Sequence, residues 1–247
     1  SAEVRAVAGA GLGEVCDSRL AEKMLRLLRT DPDAAVRAEA ATALGTFLAI
    51  AEPGEDSAGL RQQIEDDLLE TINTDSEDVL VRRRALESYG YAEDPYADEV
   101  LMDAYDSDED EIVASAVFAM GRRLDESFLP IIHRELDNEV DDIRLAAIWA
   151  AAEIGSGASV PYLLRIIGED PSDDVRTAAV YALAEIEAPE AARILEELLD
   201  SEDIAIQMAA DDALELWQSR DEMSDMVMFD YGPPGDEGHS DNGSVGH

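Results

Sequence analysis

The sequence holds few side chains whose types and spacing could carry out catalysis. Cys16 is the only cysteine, and of the three histidines only His133 lies outside the C-terminal segment that contains His239 and His247. A cysteine nucleophile needs an activating base beside it, and no histidine stands near Cys16 in the sequence. We therefore predict that Cys16 is a small core or turn residue, that His133 is a solvated helical side chain, and that the protein has no catalytic residues.

One acidic run invites a calcium-site interpretation. Asp106, Asp108 and Asp110 have the one-three-five spacing of the first ligands of an EF-hand loop. The rest of the loop pattern fails, because Glu111 stands where the turn needs a glycine and Val117 where a bidentate glutamate is needed. The run is therefore expected to be an acidic turn between helices, and we predict neither a metal site nor a cofactor.

The composition excludes two large classes of partner. The 247 residues include 58 Asp and Glu against 18 Lys and Arg, which gives a formal net charge of -40 at pH 7. Such a surface repels nucleic-acid phosphates and anionic membranes, so we predict a partner that is neither nucleic acid nor membrane. Because 46% of the residues are hydrophobic and no apolar run approaches the ~20 residues of a membrane span, we expect a folded cytoplasmic protein.

A repeated helical pattern accounts for most of the chain. In the segment that starts at Val36, the apolar first, fifth and ninth positions lie on one helical face, and the fifth position is alanine in each copy. An alanine at this position indicates the close approach of another helix. The copies recur about every 31 residues, with one insertion near residues 51–64, and begin at Val4, Val36, Val81, Ile112, Ile143, Val175 and Ile206.

Polar residues mark the expected start of these helices. A favoured N-cap residue stands five positions before the first apolar position, and its side-chain oxygen can accept hydrogen bonds from the first helical turn. A second amphipathic segment precedes each cap, so each unit is predicted to consist of a helix, an acidic turn and a second helix. Such pairs must stack to bury both faces, which predicts an α-solenoid. The expected caps are Asp31, Ser76, Ser107, Asn138, Asp170 and Ser201.

The pattern Asp-x-Asp-x-x-Val-Arg-x-x-Ala-x-x-Ala-Leu-Gly, which runs from Asp31 to Gly45, resembles the HEAT-like repeats of the phycobilisome-lyase type. The resemblance covers about residues 1–217 and implies an all-α, right-handed superhelix of stacked antiparallel helix pairs. We expect about six and a half repeats in a solenoid of residues 1–218, which would be a fragment of a longer array at its start. A disordered acidic tail is expected over residues 219–247.

The resemblance also implies roles for individual residues. In the resembled repeats, the arginine after the first apolar position joins a ladder with acidic turn residues of adjacent units. Deoxyhypusine hydroxylases resemble this array but carry His-Glu pairs that bind iron, and no His-Glu dipeptide occurs here, so that chemistry is excluded. The ladder arginines are Arg37, Arg82, Arg144 and Arg176, and their expected acidic partners are Asp33, Asp78, Asp142 and Asp174.

The seventh position of three consecutive units is aromatic: Phe118, Trp149 and Tyr181. This position points away from the buried face, so the three side chains are predicted to form a row on the second helices, which line the concave surface in this architecture. The row either fills gaps between stacked units or anchors a bound peptide or helix. The residues expected to accompany the row in partner binding are Leu145, Thr177, Arg83 and Arg84.

The two arginines of this set allow two interpretations. Arg83 and Arg84 either meet an acidic stretch of a partner or form local ion pairs with acids such as Glu87.

The predicted function is that of a non-catalytic scaffold whose concave helical surface binds a protein or peptide. Two alternatives stay open: an accessory factor of the bilin-lyase type, and an acidic decoy that imitates nucleic acid for basic proteins. In the tail, the apolar segment Met226–Phe229 is expected to dock on the chain itself or on a partner. Lys23 is the only lysine against 17 arginines. Such an acid-rich, lysine-poor surface predicts a protein that needs salt for stability, and a GC-rich genome is the alternative source of the arginine bias.

Overall fold

The structure, a computed structural model, describes the backbone of residues 18–50, 55–186 and 188–229 and the side chains up to residue 217, except those of residues 55–57 and 189. Within these ranges the chain contains helices and no strand. The repeat copy at Val4, the residue Cys16 and the tail beyond residue 229 lie outside the described residues. The α-helices of the described chain are α1 (Ser18–Thr30), α2 (Ala34–Ile50), α3 (Glu55–Ile72), α4 (Val79–Tyr89), α5 (Ala97–Tyr105), α6 (Asp110–Arg122), α7 (Leu129–Glu135), α8 (Asp141–Ile154), α9 (Val160–Glu169), α10 (Asp173–Glu185), α11 (Pro189–Leu198) and α12 (Ile204–Phe229).

Consecutive helices form pairs, with the odd-numbered helix first and the even-numbered helix second. The second helices pack on one another along the array, α2 on α4, α4 on α6, and so on to α12. From α2 onwards, each second helix buries the apolar first position of the repeat, and the alanine at its fifth position is fully buried. The all-α solenoid predicted from the sequence is confirmed.

Small residues let the second helices approach to backbone contact. A Cβ added to Gly121 would lie 2.5 Å from the Cα of Ala150, and one added to Gly45 would lie 2.6 Å from the Cβ of Ser88. These contacts join α2 to α4 and α6 to α8 within the layer of second helices. We call the surface of the second helices that points away from the first helices the inner face.

The expected N-caps are wrong by about two residues. In five of these residues, a side-chain oxygen accepts a hydrogen bond of 2.9 to 3.2 Å from the backbone N–H two residues later. The five residues are Asp31, Ser107, Asn138, Asp170 and Ser201. Such bonds form local turns that compete with helix capping. The helices begin after these turns, and the capping side chains are Asp78 for α4 and Ser172 for α10.

The two halves of the array have separate hydrophobic cores. The insertion near residues 51–64 accompanies a long first helix, since α3 has 18 residues, whereas α5 has 9. One cluster of buried hydrophobic side chains extends from α1 to α5 and the other from α4 to α12. Ile72 at the end of α3 packs against both clusters. The array therefore consists of two blocks that join around α4 and α5.

Charged residues on α12 end the stacking pattern. At the sixth and tenth repeat positions, α4, α6, α8 and α10 bury an apolar or small residue against the next unit, whereas α12 exposes Asp211 and Glu215. Terminal units with a polar outer face keep a solenoid soluble. This face is not entirely polar, because Ile204 is 70% and Met208 63% exposed.

The last helix also continues past the expected end of the solenoid. It runs to Phe229, so residues 219–229 are helical where the sequence analysis expected a disordered tail. The reason is local, because no glycine or proline interrupts the chain before Gly232. The side chains of Met226–Phe229 lie outside the described side chains, and their docking stays a prediction. Within the described residues, none of the helices combines the length and the apolar composition that a membrane span requires.

Candidate functional site

Two of the three predicted aromatic residues share a groove on the inner face. Phe118 on α6 and Trp149 on α8 lie in the wall of a groove of about 740 Å³, together with Glu153 on α8 and Glu185 on α10. Phe118 is half-buried, whereas Trp149 is 38% exposed. We call this space the inner groove, and its remaining lining residues are Ala152, Ile154 and Gly155.

An arginine fixes the position of Phe118. The Arg122 guanidinium carbon lies 4.6 Å from the ring centroid of Phe118 and 4.7 Å from that of Tyr91, and Nη1 of Arg122 donates to the Glu87 carbonyl oxygen at 2.6 Å. Each such cation–π contact contributes ~0.5–1 kcal/mol at exposed sites and more where water is excluded. Burial raises the pKa of Tyr91, while Arg122 acts in the opposite direction. Sequence reasoning missed Tyr91, because it follows the end of α4 and lies outside the repeated segment.

The third aromatic residue of the expected row, Tyr181, is not part of the inner groove. Its hydroxyl donates to Oδ2 of Asp212 at 3.2 Å, and burial together with this carboxylate raises the pKa of Tyr181. Thr177 donates its Oγ1 to a carbonyl oxygen of its own helix at 2.9 Å, and Leu145 is half-buried against the core. The expected row is therefore divided, and only its first two aromatic residues share a groove.

Arg83 and Arg84 make local contacts on the same inner face. Nε of Arg83 donates to Oγ of Ser115 at 3.1 Å, and Nη1 of Arg84 donates to Oε2 of Glu87 at 2.6 Å. Ser115 in turn donates to Oε1 of Glu87 at 2.9 Å, so the buried Glu87 carboxylate is held from two sides. These side chains line a pocket of about 220 Å³ that adjoins the inner groove at Phe118. The local ion pair with Glu87 is present for Arg84, whereas contact with an acidic partner stays a prediction.

Arginines at the second repeat position join neighbouring units. Each ladder arginine forms an ion pair with an acid in the turn of the following unit, and the pairs are Arg37–Glu77 (2.6 Å), Arg82–Glu109 (3.2 Å), Arg144–Asp170 (2.8 Å) and Arg176–Asp203 (2.7 Å). The acids differ from those expected, because Asp33 and Asp78 accept hydrogen bonds from the first turn of their own helices. The other two expected acids, Asp142 and Asp174, are exposed.

His133 is not the solvated side chain that the sequence analysis predicted. Its ring stacks on Tyr162 with centroids 4.0 Å apart, and its Nε2 lies 2.9 Å from Oγ of Ser159. Burial lowers the pKa of His133. Both contacts come from the following unit, so no sequence neighbour of His133 could reveal them. Ser159 is fully buried, whereas His133 is half-buried, so the serine hydroxyl is shielded from solvent.

The acidic run at residues 106–111 forms the turn between α5 and α6. Asp106 is the residue that ends α5, and Asp110 is the first residue of α6. One acid of this run, Glu109, accepts the ladder contact from Arg82 at 3.2 Å. Within the residues that the structure describes, no three His, Cys, Asp or Glu side chains are grouped as the ligands of a metal ion would be.

Comparisons with known proteins agree with this architecture. The family model for HEAT repeats matches residues 127–215, and no curated protein matches the chain. Among solved structures, the chain is similar to a mutant of Kap121p, with 15% identity and a TM-score of 0.54 over 82% of this chain and 23% of that chain. It is also similar to the complex of CpcE and CpcF of phycocyanin lyase from Nostoc sp. PCC7120, with 19% identity and a TM-score of 0.50 over 77% of this chain and 74% of that chain.

A further similar structure is the archaeal HEAT-like repeats protein from Thermococcus onnurineus NA1, with 17% identity and a TM-score of 0.42 over 88% of this chain and 96% of that chain. At such identities the likeness shows the fold alone. The matched residues 127–215 span most of the units from α7 to α12, and the same pairing of helices continues upstream to α1. Residues 127–215 therefore match HEAT repeats, and the helix pairs of the described chain form an α-solenoid.

Proposed function

We propose that this protein is a non-catalytic scaffold that binds a protein or peptide partner in the inner groove. The observation that carries the proposal is the exposure of Trp149 in the wall of that groove. The sequence left two roles open for the aromatic residues. Phe118 fits the gap-filling role, because it is half-buried and packs against the core. Trp149 does not fit that role, since a large part of its indole surface stays in contact with solvent.

The groove has the properties of a protein-binding hot spot. Tryptophan is enriched among the residues that dominate binding energy, and such residues lie in well-packed pockets near the centre of an interface. In this groove the Phe118 ring lies under Arg122, which is itself held by the Tyr91 ring and the Glu87 carbonyl oxygen. If Trp149 anchors the partner, Trp149→Ala should cost at least ~2 kcal/mol of binding free energy, or about thirtyfold in Kd.

Site-specific photo-cross-linking tests the proposal. A benzophenone amino acid replaces Ile154, which lines the groove, and in a matched variant it replaces Leu164, which is 39% exposed on the first helix α9. We expect a discrete cross-linked partner from the native extract at position 154 and none at position 164, and Trp149→Ala should abolish the cross-link. Equal labelling at both positions, or a cross-link that survives Trp149→Ala, would contradict the proposed site.

The two alternative functions make different demands. The fold shared with the CpcE and CpcF complex of a phycocyanin lyase supports the bilin-lyase alternative only at the level of architecture. That alternative requires a bilin to co-purify with this chain or to be transferred by it. The acidic-decoy alternative requires basic partners that dissociate at high salt whether or not Trp149 is present, because a decoy binds through its distributed charge.

A further inference from the structure

We propose that the residue bound in the inner groove is a basic side chain, arginine or lysine, flanked by apolar residues of the partner peptide. This inference rests on the proposed function and names the chemistry of its ligand. The groove presents an indole face at Trp149 and two carboxylates, Glu153 and Glu185, that are both exposed. An aromatic face with carboxylates beside it is suited to a cation, since both attract positive charge.

The neighbouring unit shows the same arrangement with its cation supplied from within the chain. On α6, Phe118 is followed one helical turn later by Arg122, whose guanidinium lies over the Phe118 ring. On α8, Trp149 is followed at the same spacing by Glu153. The aromatic ring of α8 therefore has a carboxylate where the ring of α6 has its own cation. A basic side chain from a partner would complete on Trp149 the contact that Arg122 makes on Phe118.

An apolar or acidic occupant fits the groove less well. An apolar side chain would remove water from the exposed Glu153 carboxylate without replacing the lost hydrogen bonds, and that desolvation is unfavourable. An acidic side chain would be repelled by both carboxylates at short range. The net charge of -40 adds a long-range attraction that speeds the association of a basic partner and weakens with salt.

Three acetylated and amidated peptides test this inference directly. They share the sequence Leu-Ala-X-Ala-Leu and differ only in the central residue X, which is arginine, glutamine or glutamate. The full chain carries Trp217→Phe, so that Trp149 becomes the only tryptophan, because the sequence contains two. Binding is followed by Trp149 fluorescence at low and high salt, and thermal unfolding checks that Trp217→Phe leaves the fold intact.

We expect the arginine peptide to bind about tenfold more tightly than the glutamine peptide at low salt, from one cation–π contact with Trp149 and the solvent-exposed charge pair with Glu153. The double substitution Glu153→Gln and Glu185→Gln should reduce this preference to about two- to fivefold, which is the share of the cation–π contact with Trp149. Glu22→Gln, which removes one exposed carboxylate on the distant helix α1, should leave the preference unchanged.

Each other outcome overturns the inference. Equal binding of the arginine and glutamine peptides, or a tenfold preference that the double substitution leaves unchanged, shows that the groove carboxylates do not select a cation. Absence of any fluorescence change with all three peptides also counts against it. The proposed function is tested separately by the cross-link from position 154. That cross-link depends on whether a partner occupies the groove and not on which partner residue enters it.

Discussion

The ladder contact between Arg144 and Asp170 should contribute far more to stability than the corresponding contact between Arg82 and Glu109. The Arg144 guanidinium pairs with both oxygens of Asp170, at 2.8 and 3.1 Å, and also donates to the Asn138 carbonyl oxygen at 2.8 Å. The two side chains are only 7% and 4% exposed. In the Arg82 pair, the side chains are 19% and 51% exposed.

Removal of one partner from a buried pair leaves the other charge uncompensated. We therefore expect Arg144→Met to lower the free energy of unfolding by ~3–5 kcal/mol. The matched variant Arg82→Met should lower it by less than ~1 kcal/mol, because water screens the exposed pair. The double variant Arg144→Met with Asp170→Leu should recover at least ~1 kcal/mol of the loss, since it removes the stranded carboxylate as well.

Urea unfolding followed by circular dichroism measures these differences, provided that all variants share the same slope of free energy against urea. Similar losses for Arg144→Met and Arg82→Met would refute the reasoning, because burial would then not determine the strength of the ladder. Failure of Asp170→Leu to recover any stability would show that the Asn138 contact and the packing of the Arg144 stem account for the loss.

Three further predictions concern the remaining features. Burial lowers the pKa of His133 from 6.5, so the folded state favours the neutral ring. The contribution of His133 to stability is therefore complete above pH 6.5 and is lost as pH falls through the lower folded-state pKa. His133→Gln should flatten this part of a plot of urea midpoint against pH. Gly121→Ala should lower the free energy of unfolding by ~1–3 kcal/mol, because the added Cβ would lie 2.5 Å from Ala150. The matched variant Gly59→Ala, whose added Cβ has no atom within 4 Å, should raise it by up to ~1 kcal/mol. Calorimetry measures both changes. Added sodium chloride should raise the melting temperature, since it screens repulsion among the acids; an unchanged melting temperature would contradict the salt requirement inferred from the composition.

The architecture could be predicted from the sequence because it depends on local periodicity. The alanine at the fifth repeat position marks the contact between second helices, and the structure buries it completely in α2, α4, α6, α8, α10 and α12. The start of each helix was less predictable, because residues such as Asp31 and Asn138 can either cap a helix or close a turn with the same side-chain oxygen. Only the backbone path distinguishes these two uses.

The contacts of the candidate site were harder to predict, because they join residues about one repeat apart. Arg122 lies over Tyr91 of the preceding unit, and His133 lies against Ser159 and Tyr162 of the following unit. Neither pair is visible as a sequence motif. The position of Trp149 on the inner face, by contrast, followed from helical geometry alone.

The charged residues on α12 limit how an array of this kind can lengthen during evolution. Duplication of a helix pair upstream of α12 would place small and apolar residues against one another at the new junction. A unit added directly after α12 would instead bury Asp211 and Glu215 at positions where Val180 and Ala184 of α10 meet the next helix. Burial of carboxylates at such a junction is unfavourable unless the added unit supplies groups that pair with them. New repeats are therefore expected between existing ones and not directly after α12, and duplicated genes of related proteins should show this order.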